Sequence, residues 1–188
     1  METLLAAVVS GAFGLAGGAL ISRMTLQRSA AEERRAQRLN AADAILPAAR
    51  LLRQMLRELP TNRDAARWVE AAAELFAAID GVITRLPDSW GHLERSLRAA
   101  LGEVVGPLAV SDIDPEMREF ELAEYSRQWA MHAEEYFAYA IHRVQLWRDD
   151  PKRGDAAAPE LLSFDGWLYA HDLSDYRPFG LRRRRILR

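Results

Sequence analysis

The chain has 188 residues, of which 49% are hydrophobic and 28% charged, with a formal net charge of −2 and no cysteine. The missing thiol excludes disulfides, thiolate metal sites and a cysteine nucleophile. Charge is unevenly placed: residues 111–178 hold seven basic and fifteen acidic side chains, whereas Phe179 to Arg188 holds five arginines and no acid. Lys152 is the only lysine, which reads as coding bias, so arginine in place of lysine carries little meaning at any one site.

The first element is Thr3 to Ser22, twenty uncharged residues between Glu2 and Arg23. As a helix rising about 1.5 Å per residue it covers roughly 30 Å, the thickness of a bilayer's hydrocarbon core. A transmembrane anchor is the first reading. A cleaved signal peptide is the second, against the lack of any basic residue before the apolar run; a helix buried in a protein complex is the third. Within the stretch, Ser10, Gly14, Gly18 and Ser22 recur every fourth position, a spacing that lets two helices approach closely in lipid and makes this face the candidate for self-association. Arg23, Arg28, Arg34, Arg35 and Arg38 follow the apolar run. By the positive-inside rule they place the N-terminus out and the bulk of the chain on the cytoplasmic side of the inner membrane.

No Gly or Pro interrupts the sequence from Ser22 to Pro47, so the anchor is expected to continue into the first bundle helix as one rod. Its apolar positions, Leu39, Ala42, Ile45, Leu46, Ala49, Leu52, Leu56 and Leu59, fall on one side. Pro60 ends it, and Thr61 with Asp64 predicts a capping box opening a helix over 62–86 whose stripe is Trp68, Ala72, Leu75, Ile79, Val82 and Leu86, widened by Val69, Phe76 and Ile83. Asp88 or Ser89 caps a third helix with Trp90, Leu93, Leu97, Leu101 and Val104 inward, ended by Gly106-Pro107. Asp114-Pro115-Glu116 then starts a fourth helix predicted to reach Asp149. Leu122, Tyr125, Trp129, Tyr136, Phe137, Ile141, Val144 and Trp147 occupy one wide face of it. Residues 150–159 read as a linker, and Glu160 to Leu173 as a short amphipathic helix.

The expected fold is therefore all-α: residues 1–22 an anchor, 23–149 an antiparallel four-helix bundle, 150–159 a linker, and 160–188 a short helix with an Arg-rich tail. Short loops make neighbouring helices antiparallel. The tail residues Arg182, Arg183, Arg184, Arg185 and Arg188 fit an anionic membrane surface, the acidic face of the fourth helix around Glu121, Glu124 and Glu135, or, third, nucleic acid phosphate, which the acidic remainder of the domain disfavours. Trp167, Tyr169 and Tyr176 suit either an interfacial belt or a cap on the bundle.

No Walker loop, Gly-x-Ser-x-Gly elbow or His-Glu-x-x-His occurs, and none of His92, His132, His142 or His171 has Glu three residues before it, so no cofactor, metal or catalytic residue is expected. His132 and Glu135 are read as sharing a polar face. The function these features suggest is a membrane-tethered helical scaffold, with the bilayer and a second copy or protein as partners. The competing class is a sensing module with a ligand pocket among Trp68, Trp129, Tyr136 and Trp147; a peripheral subunit of a membrane complex comes third.

Overall fold

The structure, a computed structural model, describes the backbone of residues 2–61, 63–106, 124–149 and 158–173, and their side chains from residue 25 onward. Among these residues are five α-helices and no strand. They are α1 (Glu2–Glu58), α2 (Ala65–Asp80), α3 (Leu93–Val105), α4 (Arg127–Asp149) and α5 (Phe164–Ala170). The chain divides into two units, Met1–Leu39 and Asn40–Arg188.

In the first unit the backbone is helical from Glu2 onward, and the side chains of residues 25–37 are all exposed, Leu26 at 69%. Local bonds support it: Ser29 Oγ donates to the Leu26 carbonyl at 3.0 Å, Arg34 Nε to that of Ala30 at 3.2 Å, and Gln37 Nε2 to Glu33 Oε1 at 3.4 Å. Among the described residues no helix is long and apolar enough to cross a membrane. Thr3 to Ser22, with Ser10, Gly14, Gly18 and Ser22, lies outside the residues whose side chains are described.

The second unit is a bundle around one core. All the expected inward positions of α1 are buried except half-buried Leu39. Pro47 lies inside α1 on its exposed side, so the Asp43 carbonyl that it cannot bond is left toward solvent. Arg148 of α4 meets Asp43 of α1 at 3.2 Å, while Glu134 of α4 meets Arg53 and Arg57 at 2.7 and 2.8 Å. Numbers that rise along one helix as they fall along the other make α1 and α4 antiparallel. Trp90 against Trp147, and Ser96 bonded to Tyr136, give α3 the same relation to α4. The Arg98 guanidinium, paired with Glu94, lies 3.9 Å over the Phe76 ring and ties α3 to α2.

Five boundaries differ from the sequence reading. Neither Asp88 nor Ser89 caps α3: they lie in a 3₁₀ turn over Asp88–Trp90, and α3 begins after His92, which makes no side-chain cap bond. The helix expected over 160–173 is confined to Phe164–Ala170, because residues 158–163 are not helical and Ser163 is the cap. Asp64, alone, caps α2 by accepting from Ala66 N and Arg67 N, while Thr61 turns back to donate to the Glu58 carbonyl, so there is no capping box. Past Asp80 the chain leaves the α-helix at Gly81 for a 3₁₀ turn over Ile83–Arg85, which keeps Val82 and Leu86 buried but leaves Ile83 41% exposed. The fourth helix is also shorter than predicted, because residues 124–126 are not helical and Ser126 caps α4, its Oγ accepting from Trp129 N at 3.4 Å. The Asp114-Pro115-Glu116 start signal lies outside the described residues, as does the linker from 150 to 157. Gly106 ends α3 with φ 79°, a left-handed backbone that a side chain would strain.

Candidate functional site

The described residue pattern least explained by helix-on-helix packing is the segment 158–163, which runs without regular structure along α4 before Ser163 caps α5 through Gly166 N. Outside a helix or sheet its backbone groups need partners from elsewhere. Side chains of the bundle supply them. The Trp90 indole N–H donates to the Pro159 carbonyl at 2.9 Å, Tyr139 OH donates to the Glu160 carbonyl at 3.2 Å and accepts from Leu162 N at 2.9 Å, and Tyr136 OH donates to the Leu162 carbonyl at 3.0 Å. Each of these bonds is to backbone.

Around them the aromatic rings close up. Tyr136 packs edge-on against Phe164 and Trp167 with centroids 5.1 and 5.8 Å apart, and Phe164 and Trp167 stack at 6.5 Å. Burial pushes the Tyr136 phenol well above the ordinary tyrosine range, partly offset by its hydrogen bond with Ser96, so it remains a donor. Leu161, Phe164, Trp167 and Leu168 complete the apolar seal. Trp167 is thus a core residue rather than part of an interfacial belt; Tyr176 and the arginines 182, 183, 184, 185 and 188 lie outside the described residues.

Tyr139, Arg143 and Trp147 follow one another at four-residue spacing and so form a single stripe of α4. Tyr139 holds the segment at one end, and at the other Trp147 meets Trp90 with ring centroids 5.3 Å apart. Between them the Arg143 guanidinium lies 5.1 Å from the Tyr139 ring centroid. Two donors of this stripe, Trp147 Nε1 and Arg143 Nε, are buried with no hydrogen-bond partner among the described residues.

The four aromatic residues proposed for one ligand pocket do not converge. Tyr136 and Trp147 are eleven residues apart on α4, roughly 16 Å along the axis. Trp68 is buried on α2, and Trp129 is half-buried with its ring 5.8 Å from His132. No ring contact among the described residues joins any two of the four. Between α1, α3 and α4 there is a void of about 10 Å³ lined by apolar side chains such as Ile45, Leu97 and Phe137, room for about one water and with nothing polar to hold it.

His132 and Glu135 do not share a face. His132 is 3% exposed with neither ring nitrogen bonded among the described residues, whereas Glu135 is exposed. His132 is buried one turn before Tyr136, with its ring 5.8 Å from Trp129, where its polar type suggested an outward face. Among the described residues no three His, Asp or Glu side chains gather as metal ligands. Compared with known proteins, the chain matches no family model, no curated protein and no solved structure, so its own residues carry the functional argument.

Proposed function

We propose that the protein is a membrane-tethered helical interaction protein: an N-terminal anchor at the inner membrane, N-terminus out, presenting a cytoplasmic bundle and self-associating through Ser10, Gly14, Gly18 and Ser22. The observation that carries this reading is the uncharged run Thr3 to Ser22, which belongs to the uninterrupted helix Glu2–Glu58 and is followed by five arginines up to Arg38. A helix with so little charge needs an apolar medium, and the arginines favour the cytoplasmic side. Close packing in the described bundle supports an interaction role over ligand sensing, since the core rings are filled by one another.

The test is membrane partition of the full chain and of a chain beginning at Arg23, each washed at low and high salt. The reading requires that the full chain resist both washes. Release of the full chain by high salt alone would remove the anchor and leave only an electrostatic contact. If the shorter chain binds at low salt and leaves at high salt, Arg182 to Arg188 form a second contact with anionic lipid. Gly14→Ile with Gly18→Ile should abolish self-association in a membrane two-hybrid assay; unchanged association would refute the small-residue face.

A further inference from the structure

We propose that the surface of α3 and α4 that seats residues 158–163 is a peptide-binding groove, filled in cis by this strap and open to a partner's extended segment bearing a carboxylate. The strap shows how the groove reads its occupant. Trp90, Tyr136 and Tyr139 bond the strap through its main-chain carbonyls and one N–H alone, so any extended segment presents the same groups. Selectivity falls to what else the groove offers.

What it offers is an excess of donors. Trp147 is 1% exposed, and its indole N–H has no partner among the described residues, although the neighbouring Trp90 N–H is taken by Pro159. Arg143 Nε, one turn away, is also unmet. Glu160 of the strap is exposed and answers neither donor. A buried donor left without an acceptor is costly, and an occupant that brings an acceptor recovers that cost. Trp147 and Arg143 are one turn apart on α4, so a carboxylate seated over that turn has a neutral N–H and a guanidinium to answer, a charge-assisted arrangement. The cis strap is a tethered competitor, present at an effective concentration in the millimolar range, so the groove opens to a partner only when the strap is weakened or outcompeted.

This groove gives the proposed interaction role a surface on the bundle, but its test is run on the full chain in detergent micelles and is indifferent to membrane partition. The probes are the labelled hexapeptide Ala-Pro-Glu-Leu-Leu-Ser, which repeats residues 158–163, and its Ala158→Asp version, read by fluorescence anisotropy. Leu161→Ala loosens the strap; Leu161→Val replaces it if far-UV circular dichroism shows lost helix. The acidic peptide is expected to bind the loosened chain about tenfold tighter than it binds wild type, and about tenfold tighter than the parent peptide binds the loosened chain. Trp147→Phe, which keeps a ring and removes the N–H, should erase the preference between peptides. Equal binding of the two peptides, or a preference that survives Trp147→Phe, overturns the carboxylate assignment. No binding to a folded, loosened chain overturns the groove.

Discussion

One helix, α1, serves in two environments. From residue 25 to 37 every side chain is exposed, while from Ala41 to Leu59 the inward side chains are buried, many at 5% exposure or less. The exposed part is polar nearly all round and depends on helix-favouring residues and short-range bonds such as Gln37 to Glu33, each contributing a few tenths of a kcal/mol. The buried part depends on apolar contacts with other helices. A common backbone conformation therefore hides two different sources of order, one local and one tertiary.

Substitutions along the helix test that contrast directly. In the buried part, Leu52→Ala should lower unfolding free energy by about 2–5 kcal/mol, measured by urea denaturation in micelles, because Leu52 is 0% exposed. A loss below about 1 kcal/mol would mean the core of the bundle does not depend on α1. Next in size is Glu134→Ala, which strands Arg53 and Arg57 at a side chain only 20% exposed and should cost about 1–2 kcal/mol. High salt should shrink that difference.

Smaller, and confined to the C-terminal segment, is Ser163→Ala: the α5 cap accepts from Gly166 N, so about 1 kcal/mol is lost and amides of 164–170 exchange faster while those of α1 do not. Tyr136 adds a pH test. Its folded pKa is raised, so its contribution to stability is complete below the unfolded value of about 10 and is lost as pH climbs through the folded one. One tyrosine should thus resist ionisation at 295 nm until the bundle unfolds, and Tyr136→Phe should flatten the alkaline fall in stability. Smallest is Leu26→Ala in the exposed part, within about 0.5 kcal/mol of wild type, since Leu26 touches mainly solvent. A larger loss there would show that the exposed part is covered by another molecule.

Periodicity made the helices legible. Trp68, Leu75, Ile79, Leu93, Leu97, Phe137 and Val144 are buried where three-and-four spacing put them. Boundaries were less legible, because one side-chain oxygen decides them: Ser126 was passed over in favour of the earlier Asp114-Pro115 signal, and Thr61 serves the helix before it rather than the one after it. The strap was the least legible part. Its backbone is held by two tyrosines and one tryptophan far away in sequence, Trp90 being 69 residues from Pro159, and no local pattern encodes such a partner. Tyr139 could have been found by asking what covers the side of α4 on which Tyr136 lies, since the strap bonds both. The aromatic residues Trp68, Trp129, Tyr136 and Trp147 were correctly seen as inward or nearly so, but a stripe on one helix does not make a pocket.

The antiparallel lock between α1 and α4 has a mechanical consequence. Tension applied along α1 would not peel the helices apart one contact at a time; it would slide them past each other and load the Asp43–Arg148 pair and the Arg53–Glu134–Arg57 cluster together. In such a shear geometry the contacts share the force, so the bundle is built to hold when pulled through its first helix and to yield more readily when α4 is lifted sideways.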